Sequence, residues 1–433
     1  MSQTFNIFNF LIIVALAAVP LMQVGCTSGG RADNRKFGSI LNNDGNNILW
    51  HISGEDATPD EYRKALEHLL DAKPGILAQS IGQPDPVFYL SEVATPWFKY
   101  RGQWEDSKAM KALADAGTDP LALTVEVCKK RGVPILASFR MNAEDLGNSN
   151  FKSSDFGRKN KHLRVGEDRN CLDPAHPAVY EHRMQIFAEV IDKYDLDGLE
   201  FDYKRWNHMI SNPAENHVIL TRMLRETRKM LDEAAKRKGR KRLLLGVRVQ
   251  PQISGALNPQ DYPGANGAPF NQSCDAAGLD IKTWIDEELV DYVCPSLFWP
   301  PWPGLPRIAE FVELAKGKNV GIYPTVWPRP AWLNTKTAPP IERDDAERMR
   351  RYKNELCDII LTCYRDGADG ISTYNWTPHH QEGMLPDPGR ANWGDGAKAL
   401  QMHIHGLMSD AAAVEAYRNS QQLIPPTSKD RTP

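Results

Sequence analysis

Eight times along this chain a short β-type run precedes a segment with apolar residues at helical spacing, and that recurrence restricts the fold more than any other feature. The runs are Ile48–Ser53, Gly75–Ile81, Pro134–Asn142, Gly198–Tyr203, Arg242–Gln250, Val290–Trp299, Val320–Val326 and Gly370–Trp376. Helical periodicity follows near 59–71, 120–131, 178–194, 216–236, 280–288, 306–316, 344–364 and 396–406. Such alternation predicts the α/β class and a single-domain (β/α)8 TIM barrel over 48–410. An open doubly wound sheet is the alternative, but no Gly-rich phosphate loop follows the first run. The chain has 433 residues, 41% of them apolar, enough to bury one large core. A net charge of −3 with no basic tract argues against a nucleic-acid partner.

Asp197-Gly198-Leu199 opens the fourth run and Asp369-Gly370-Ile371 the eighth, and Asp291-Tyr292 has a similar place at the sixth. These aspartates stand at strand starts, the bottom of a barrel, and read as turn and cap residues.

The segment Asp197-Gly198-Leu199-Glu200-Phe201-Asp202-Tyr203-Lys204-Arg205-Trp206 carries the chemistry. Leu199, Phe201 and Tyr203 fall on one face, while Glu200, Asp202 and Lys204 fall on the other. Paired carboxylates on the lumen face near a strand's C-terminal end point to acid–base work or a carboxylate-rich binding site. A strand end ion-paired to Lys204 and Arg205 is the purely structural alternative. The same alternation sends His51, Ser138, Arg140, Asn142, Arg248, Gln250, Ser372, Tyr374 and Trp376 toward the lumen.

Phe298-Trp299-Pro300-Pro301-Trp302-Pro303 and Trp327-Pro328-Arg329-Pro330-Ala331-Trp332 set aromatic rings on Pro-locked loops, and Trp97, Trp104 and Trp376 add to them. Sugar rings have apolar C–H faces and polar edges, so aromatic planes beside carboxylates and arginine suit carbohydrate. Arg140, Asn142, Lys204, Arg248, Gln250, Trp299, Trp327, Tyr374 and Trp376 are the expected substrate-binding residues. Trp299 and Trp327 are expected in one wall of the cleft, with Trp376 at its floor.

The runs Ser138-Phe139-Arg140-Met141-Asn142, Leu172-Asp173-Pro174-Ala175-His176-Pro177 and Asp197 to Tyr203 resemble the glycosyl hydrolase-like 10 barrels and related secreted family-10-like glycosidases. The resemblance spans roughly Ile48 to Gly406 and implies an exported glycoside hydrolase acting on a polysaccharide or oligosaccharide. The fourth run is also similar to the chitinase pattern Asp-Gly-x-Asp-x-Asp-x-Glu. Glu200 and Asp202 stand at the two later Asp positions, and Lys204 replaces the Glu. That replacement argues against substrate-assisted chemistry of the chitinase kind.

Glycosidases work with two carboxyl groups. Glu200 is expected as general acid/base and Asp202 as nucleophile or charge stabiliser, with Arg140 within reach of one of them. Glu144, Asp145, Glu92 and Glu55 are alternative partners. The seventh run offers Tyr323, Thr325 and Trp327 and no acid, which keeps a catalytically silent carbohydrate-binding barrel open. A lyase or other non-hydrolytic enzyme and a metal-dependent hydrolase are further alternatives, the last lacking His-rich strand ends.

Residues 1–26 read as a signal peptide, its apolar run Phe10–Met22 too short to span a bilayer comfortably. Gln23-Val24-Gly25-Cys26 resembles a lipobox, with Gln23 where Leu is usual, which implies lipidation at Cys26, a membrane anchor and a place in the cell envelope. Residues 27–47 read as a flexible tether and 411–433 as a C-terminal extension whose end is disordered. Cys128 and Cys294 read as core thiols, Cys357 and Cys363 as facing different ways on one helix, and Cys171 and Cys274 as the one pair placed to meet. No Cys/His cluster suggests a metal, and no cofactor is expected; His379, His380, His403 and His405 read as loop or surface residues.

Overall fold

The structure is a computed structural model describing residues 37–83, 85–101, 104–141, 154–166, 171–204, 209–257, 272–297, 304–327, 332, 339–376 and 394–424. Among them nine strands make one sheet: β1 (Ser39–Asn43), β2 (Ile76–Gly82), β3 (Ile135–Arg140), β4 (Gly198–Asp202), β5 (Leu244–Val249), β6 (Tyr292–Pro295), β7 (Gly321–Ile322), β8 (Thr325–Val326) and β9 (Ile371–Trp376). Every pairing is parallel, in the order β7-β6-β5-β4-β3-β2-β1-β9-β8.

β7 and β8 share the seventh position. Pro324 lacks an N–H and interrupts the strand. The ladder nevertheless continues on both sides: Tyr323 N donates to Val293 O of β6 at 2.9 Å, and Pro324 O accepts Ser372 N of β9 at 3.0 Å. The sheet therefore closes from β6 round to β9, and eight strand positions form the (β/α)8-like barrel.

Helices cover the outside. α1 (Pro59–Leu70) follows β1, and α2 (Phe98–Arg101), α3 (Glu105–Asp115) and α4 (Pro120–Arg131) follow β2. α5 (Asp155–Lys159) and α6 (Pro177–Lys193) follow β3, α7 (Pro213–Arg237) follows β4, α8 (Ile281–Asp286) follows β5 and α9 (Ile308–Leu314) follows β6. α10 (Ala346–Arg365) joins β8 to β9, after which come α11 (Gly394–Leu407) and α12 (Ala411–Asn419). Thr58 and Asp119 cap α1 and α4, each with proline in the first turn. No helix among the described residues is long and apolar enough to cross a membrane.

Leu199 and Phe201 pack outward into the core shared with the helices. A second cluster fills the lower lumen: Ile40, Ile76, Ala78, Leu136, Tyr292, Cys294 and Tyr323. Phe37 packs against its lower end, its ring 6.2 Å edge-on from Tyr292 and its N–H donating to the Tyr323 hydroxyl at 2.7 Å. The three strand-start aspartates act as expected, each accepting a backbone N–H from a neighbouring strand or its first residue. Asp197 takes Ile135 N at 2.9 Å, Asp291 takes Leu245 N at 2.8 Å and Asp369 takes Ile322 N at 2.8 Å.

The first strand lies upstream of its predicted place. Ile48, Leu49 and Ile52 are buried, but they sit in a turn closed by Trp50 N to Asn46 O and His51 N to Ile48 O. β1 is Ser39–Asn43, inside the stretch expected to be tether. Asn42 bonds Glu200 in the lumen and Asn43 bonds Gln79 on the opposite face, so polar residues stand on both faces and the strand lacks an apolar signature. Residues 411–419 form α12, where Val414 and Tyr417 are buried. No disulfide joins the described cysteines, so Cys171 and Cys274 are not paired with each other. Cys26, His379 and His380 lie outside the described residues. His405 is buried rather than superficial, its Nδ1 3.2 Å from Ala72 O.

Candidate active site

Glu200 occupies the middle of the barrel and is fully buried. Its Oε1 accepts Ser138 Oγ at 2.9 Å and Asn42 Nδ2 at 3.2 Å, and its Oε2 accepts the Tyr292 hydroxyl at 2.9 Å. Arg248 Nη2 lies 3.5 Å from Oε2. Arg248 also donates to Thr325 Oγ1 at 2.5 Å and to Ser372 Oγ at 2.9 Å. Glu200, Gly246 and Tyr292 are in register across β4, β5 and β6. A Cβ on Gly246 would fall 2.0 Å from the Tyr292 ring, so glycine there leaves room for the phenol to reach the carboxylate. Burial pushes the Tyr292 hydroxyl far above its usual range, and the Glu200 charge adds to the shift, so the group stays a neutral donor.

One pleat above lie Asp202 and Lys204, which are also buried. Asp202 Oδ1 accepts Lys204 N at 2.9 Å, and Oδ2 accepts no hydrogen bond from the described residues. Burial raises the Asp202 carboxyl above the usual carboxylate range; Arg248 opposes this, Glu200 adds to it, and the Lys204 N–H and Arg140 lower it. Lys204 Nζ donates to Gln250 Oε1 at 2.8 Å. Its ammonium, lowered from 10.5 to about 7, is disfavoured by burial, with Cys274 and Asp202 pulling the other way. Arg140 is the register partner of Asp202. Its guanidinium forms a buried ion pair with Asp44, just past the end of β1.

Glu200 and Asp202 thus share the lumen face as expected, but in different surroundings. The arginine salt-bridged to Glu200 is Arg248, and Arg140 bonds Asp44 while contributing its field to Asp202. Ser138, Arg248, Gln250, Thr325 and Ser372 all point inward as predicted; Ser138, Arg248, Thr325 and Ser372 join one network around Glu200, and Gln250 bonds Lys204. Tyr323 instead lies in the lower lumen. His51 is buried in the turn that follows β1. Trp327 is buried, with its indole N–H on Leu297 O at 2.8 Å, and Trp97 is buried on Asp106 at 2.9 Å. Trp332 donates to Glu355 at 2.8 Å and carries Arg351 over its ring at 4.4 Å, so it belongs to the flank of α10. Glu55 and Glu92 are exposed. Asn142, Glu144, Asp145, Trp299, Trp302 and the side chains of Tyr374 and Trp376 lie outside the described residues. Among the described residues, no group of three His, Cys, Asp or Glu could hold a metal ion.

The glycosyl hydrolase-like 10 family model matches residues 84–320, a little over half of the chain. The chain belongs to the glycosyl hydrolase-like 10 family. Glycosyl hydrolase DigH of Escherichia coli strain K12 is 22% identical over 231 residues, 46% of this chain and 50% of that protein. The DigH of strain CFT073 is 21% identical over 221 residues. The chain spans about half the length of the curated relatives it matches. Among solved structures, alpha-L-fucosidase isoenzyme 2 from Paenibacillus thiaminolyticus covers 88% of this chain and 50% of its own, at 10% identity and a TM-score of 0.45. A family GH18 chitinase from Cycas revoluta in complex with allosamidin covers 85% and 98%, at 10% identity and a TM-score of 0.44.

The glycosyl hydrolase-like 10 match includes β3 to β6, and with them Arg140, Glu200, Asp202, Lys204, Arg248 and Tyr292. Asp44, Asn42, Thr325 and Ser372, which complete the network in this family member, lie outside the matched residues. Sequence reasoning missed Asp44 and Tyr292. Asp44 sits in an Asn/Gly-rich run that reads as linker, and Tyr292 reads as one more apolar strand residue.

Proposed function

We propose that this chain is a glycoside hydrolase that cleaves a polysaccharide or oligosaccharide over the polar mouth of its barrel. One observation carries the reading: Asp202, a carboxyl group that burial favours in the protonated form, is the register partner of Arg140, whose guanidinium is ion-paired with Asp44. A carboxyl group whose pKa burial raises and a second carboxyl group paired with a guanidinium are suited to the two parts that glycosidic cleavage requires. Asp202 then protonates the leaving oxygen, and Asp44 activates water or stabilises positive charge at the sugar carbon. In this reading Asp202 takes the acid role expected of Glu200 from sequence, and Asp44 takes the role expected of Asp202. Glu200, saturated by three donors and sealed from solvent, is assigned to holding Arg248 and the Asp202 environment in place.

The leader and Cys26 support export and anchoring in the cell envelope. Replacement of Cys26 by Ser should release the protein from the membrane fraction.

Asp202 is 2% exposed and Glu200 0%, which favours a second reading, a carbohydrate-binding barrel without turnover. Full-length protein assayed on a polysaccharide panel for new reducing ends, unsaturated products and binding separates the two. Reducing ends support the hydrolase. Binding with no cleavage supports the silent barrel, and unsaturated products would replace both with a lyase.

A further inference from the structure

Trp104 is the one exposed Phe, Tyr or Trp among the described residues, with 37% of its surface open to solvent. An exposed indole offers a flat apolar face on which the C–H face of a sugar ring can stack. The ring is firmly held. Trp50 meets it edge-on, with centroids 5.8 Å apart and an interplanar angle of 89°. Trp104 O accepts Ser107 N at 3.0 Å and Lys108 N at 2.9 Å, fixing its backbone at the start of α3.

Its position relative to the rim follows from one continuous segment. From the end of β1 outward, Asn42 bonds Glu200, Asn43 bonds Gln79, Asp44 bonds Arg140, Asn46 bonds Asp106, and Trp50 supports Trp104. Asp106 is the second residue of α3 and also takes the Trp97 indole N–H at 2.9 Å. Trp50 and Trp104 belong to the loops after β1 and β2, which open on the catalytic face of a barrel. They form a preorganised aromatic step leading away from Asp44.

We infer that Trp104, backed by Trp50, is a sugar-stacking platform that holds a pyranose ring of a glycan chain at a distance from the cleavage point. The inference rests on the glycoside reading and adds to it a preference for long chains. Stacking a ring on one exposed indole changes affinity by roughly three- to tenfold.

The test measures binding of β-1,4-linked N-acetylglucosamine, glucose and xylose oligomers, from disaccharide to octasaccharide, to full-length Asp202→Asn protein by calorimetry. Trp104→Ala in that background should abolish the gain of affinity with chain length, and Trp104→Phe should restore most of it. A length-dependent gain that survives Trp104→Ala, or no gain in the parent protein, overturns the platform. If wild-type protein binds oligomers with the Trp104 effect but cleaves neither them nor any glycan of the polysaccharide panel, the platform holds and the hydrolase reading fails.

Discussion

The Tyr292 hydroxyl donates to Glu200 Oε2 at 2.9 Å across the strand that separates them, through the gap that Gly246 leaves. This contact ties the deepest carboxylate of the barrel to a strand two positions away, and it makes Gly246 a packing requirement. Gly246→Ala should destabilise the protein by about 1–3 kcal/mol through overpacking, read from urea unfolding. Tyr292→Phe should cost about 1.5–3 kcal/mol, as expected for a hydrogen bond to a carboxylate. Wild-type stability in both variants would mean that the phenol does not hold Glu200.

Asp44 and Arg140 give a second prediction. Arg140→Met strands a buried carboxylate and should lower stability by about 3–5 kcal/mol. Asp44→Asn should keep the fold and reduce turnover by about a hundredfold. Undiminished turnover in Asp44→Asn, measured on a glycan the wild type cleaves, would remove Asp44 from the mechanism.

The Lys204 ammonium predicts a pH dependence. Its pKa falls from 10.5 in the unfolded chain to about 7 in the fold, so between those values the unfolded state binds more protons. Stability from this group therefore rises as pH climbs from about 7 toward 10.5, and the full cost of charging it is present below about 7. Asp202 runs the opposite way: with a raised pKa, its contribution is complete below the ordinary carboxylate value and is lost as pH rises through the folded value. Denaturant unfolding of wild type and Lys204→Met across the alkaline range should show a steeper rise in the wild type. Parallel curves would contradict a buried, weakly basic Lys204.

Asp291 tests the reading of the strand-start aspartates. It bonds Leu245 N and the guanidinium groups of Arg228 and Arg242 while fully buried. Asp291→Ala should cost about 3–5 kcal/mol, with turnover per folded molecule retained because the residue sits at the bottom of the barrel. A catalytic defect in the folded fraction would argue against that assignment.

The barrel was legible where the strand pattern is driven by the helix-facing side, as in β4, where Leu199 and Phe201 alternate with Glu200 and Asp202. β1 escaped because it is polar on both faces: Asn42 binds Glu200 in the lumen, Asn43 binds Gln79 on the opposite face, and two apolar residues make no periodic signal. The carboxylates were visible from their i, i+2 spacing, but their partners were not. Arg140 meets Asp44 over a separation of 96 residues and Glu200 meets Tyr292 over 92, contacts that only the assembled sheet creates. The proposed change of roles rests on a burial that the sequence does not show, since burial raises the Asp202 carboxyl and lowers the Lys204 ammonium.

Turnover of Asp202→Asn and Glu200→Gln, measured side by side on a glycan that the wild type cleaves, tests the assignment of the working acid most directly. The account predicts that Asp202→Asn folds and binds as wild type while losing at least about a hundredfold in rate. It also predicts that Glu200→Gln shows mainly lower stability, having weakened the Arg248 and Tyr292 contacts. Near-normal turnover in Asp202→Asn, with the rate lost only in fully folded Glu200→Gln, would contradict it.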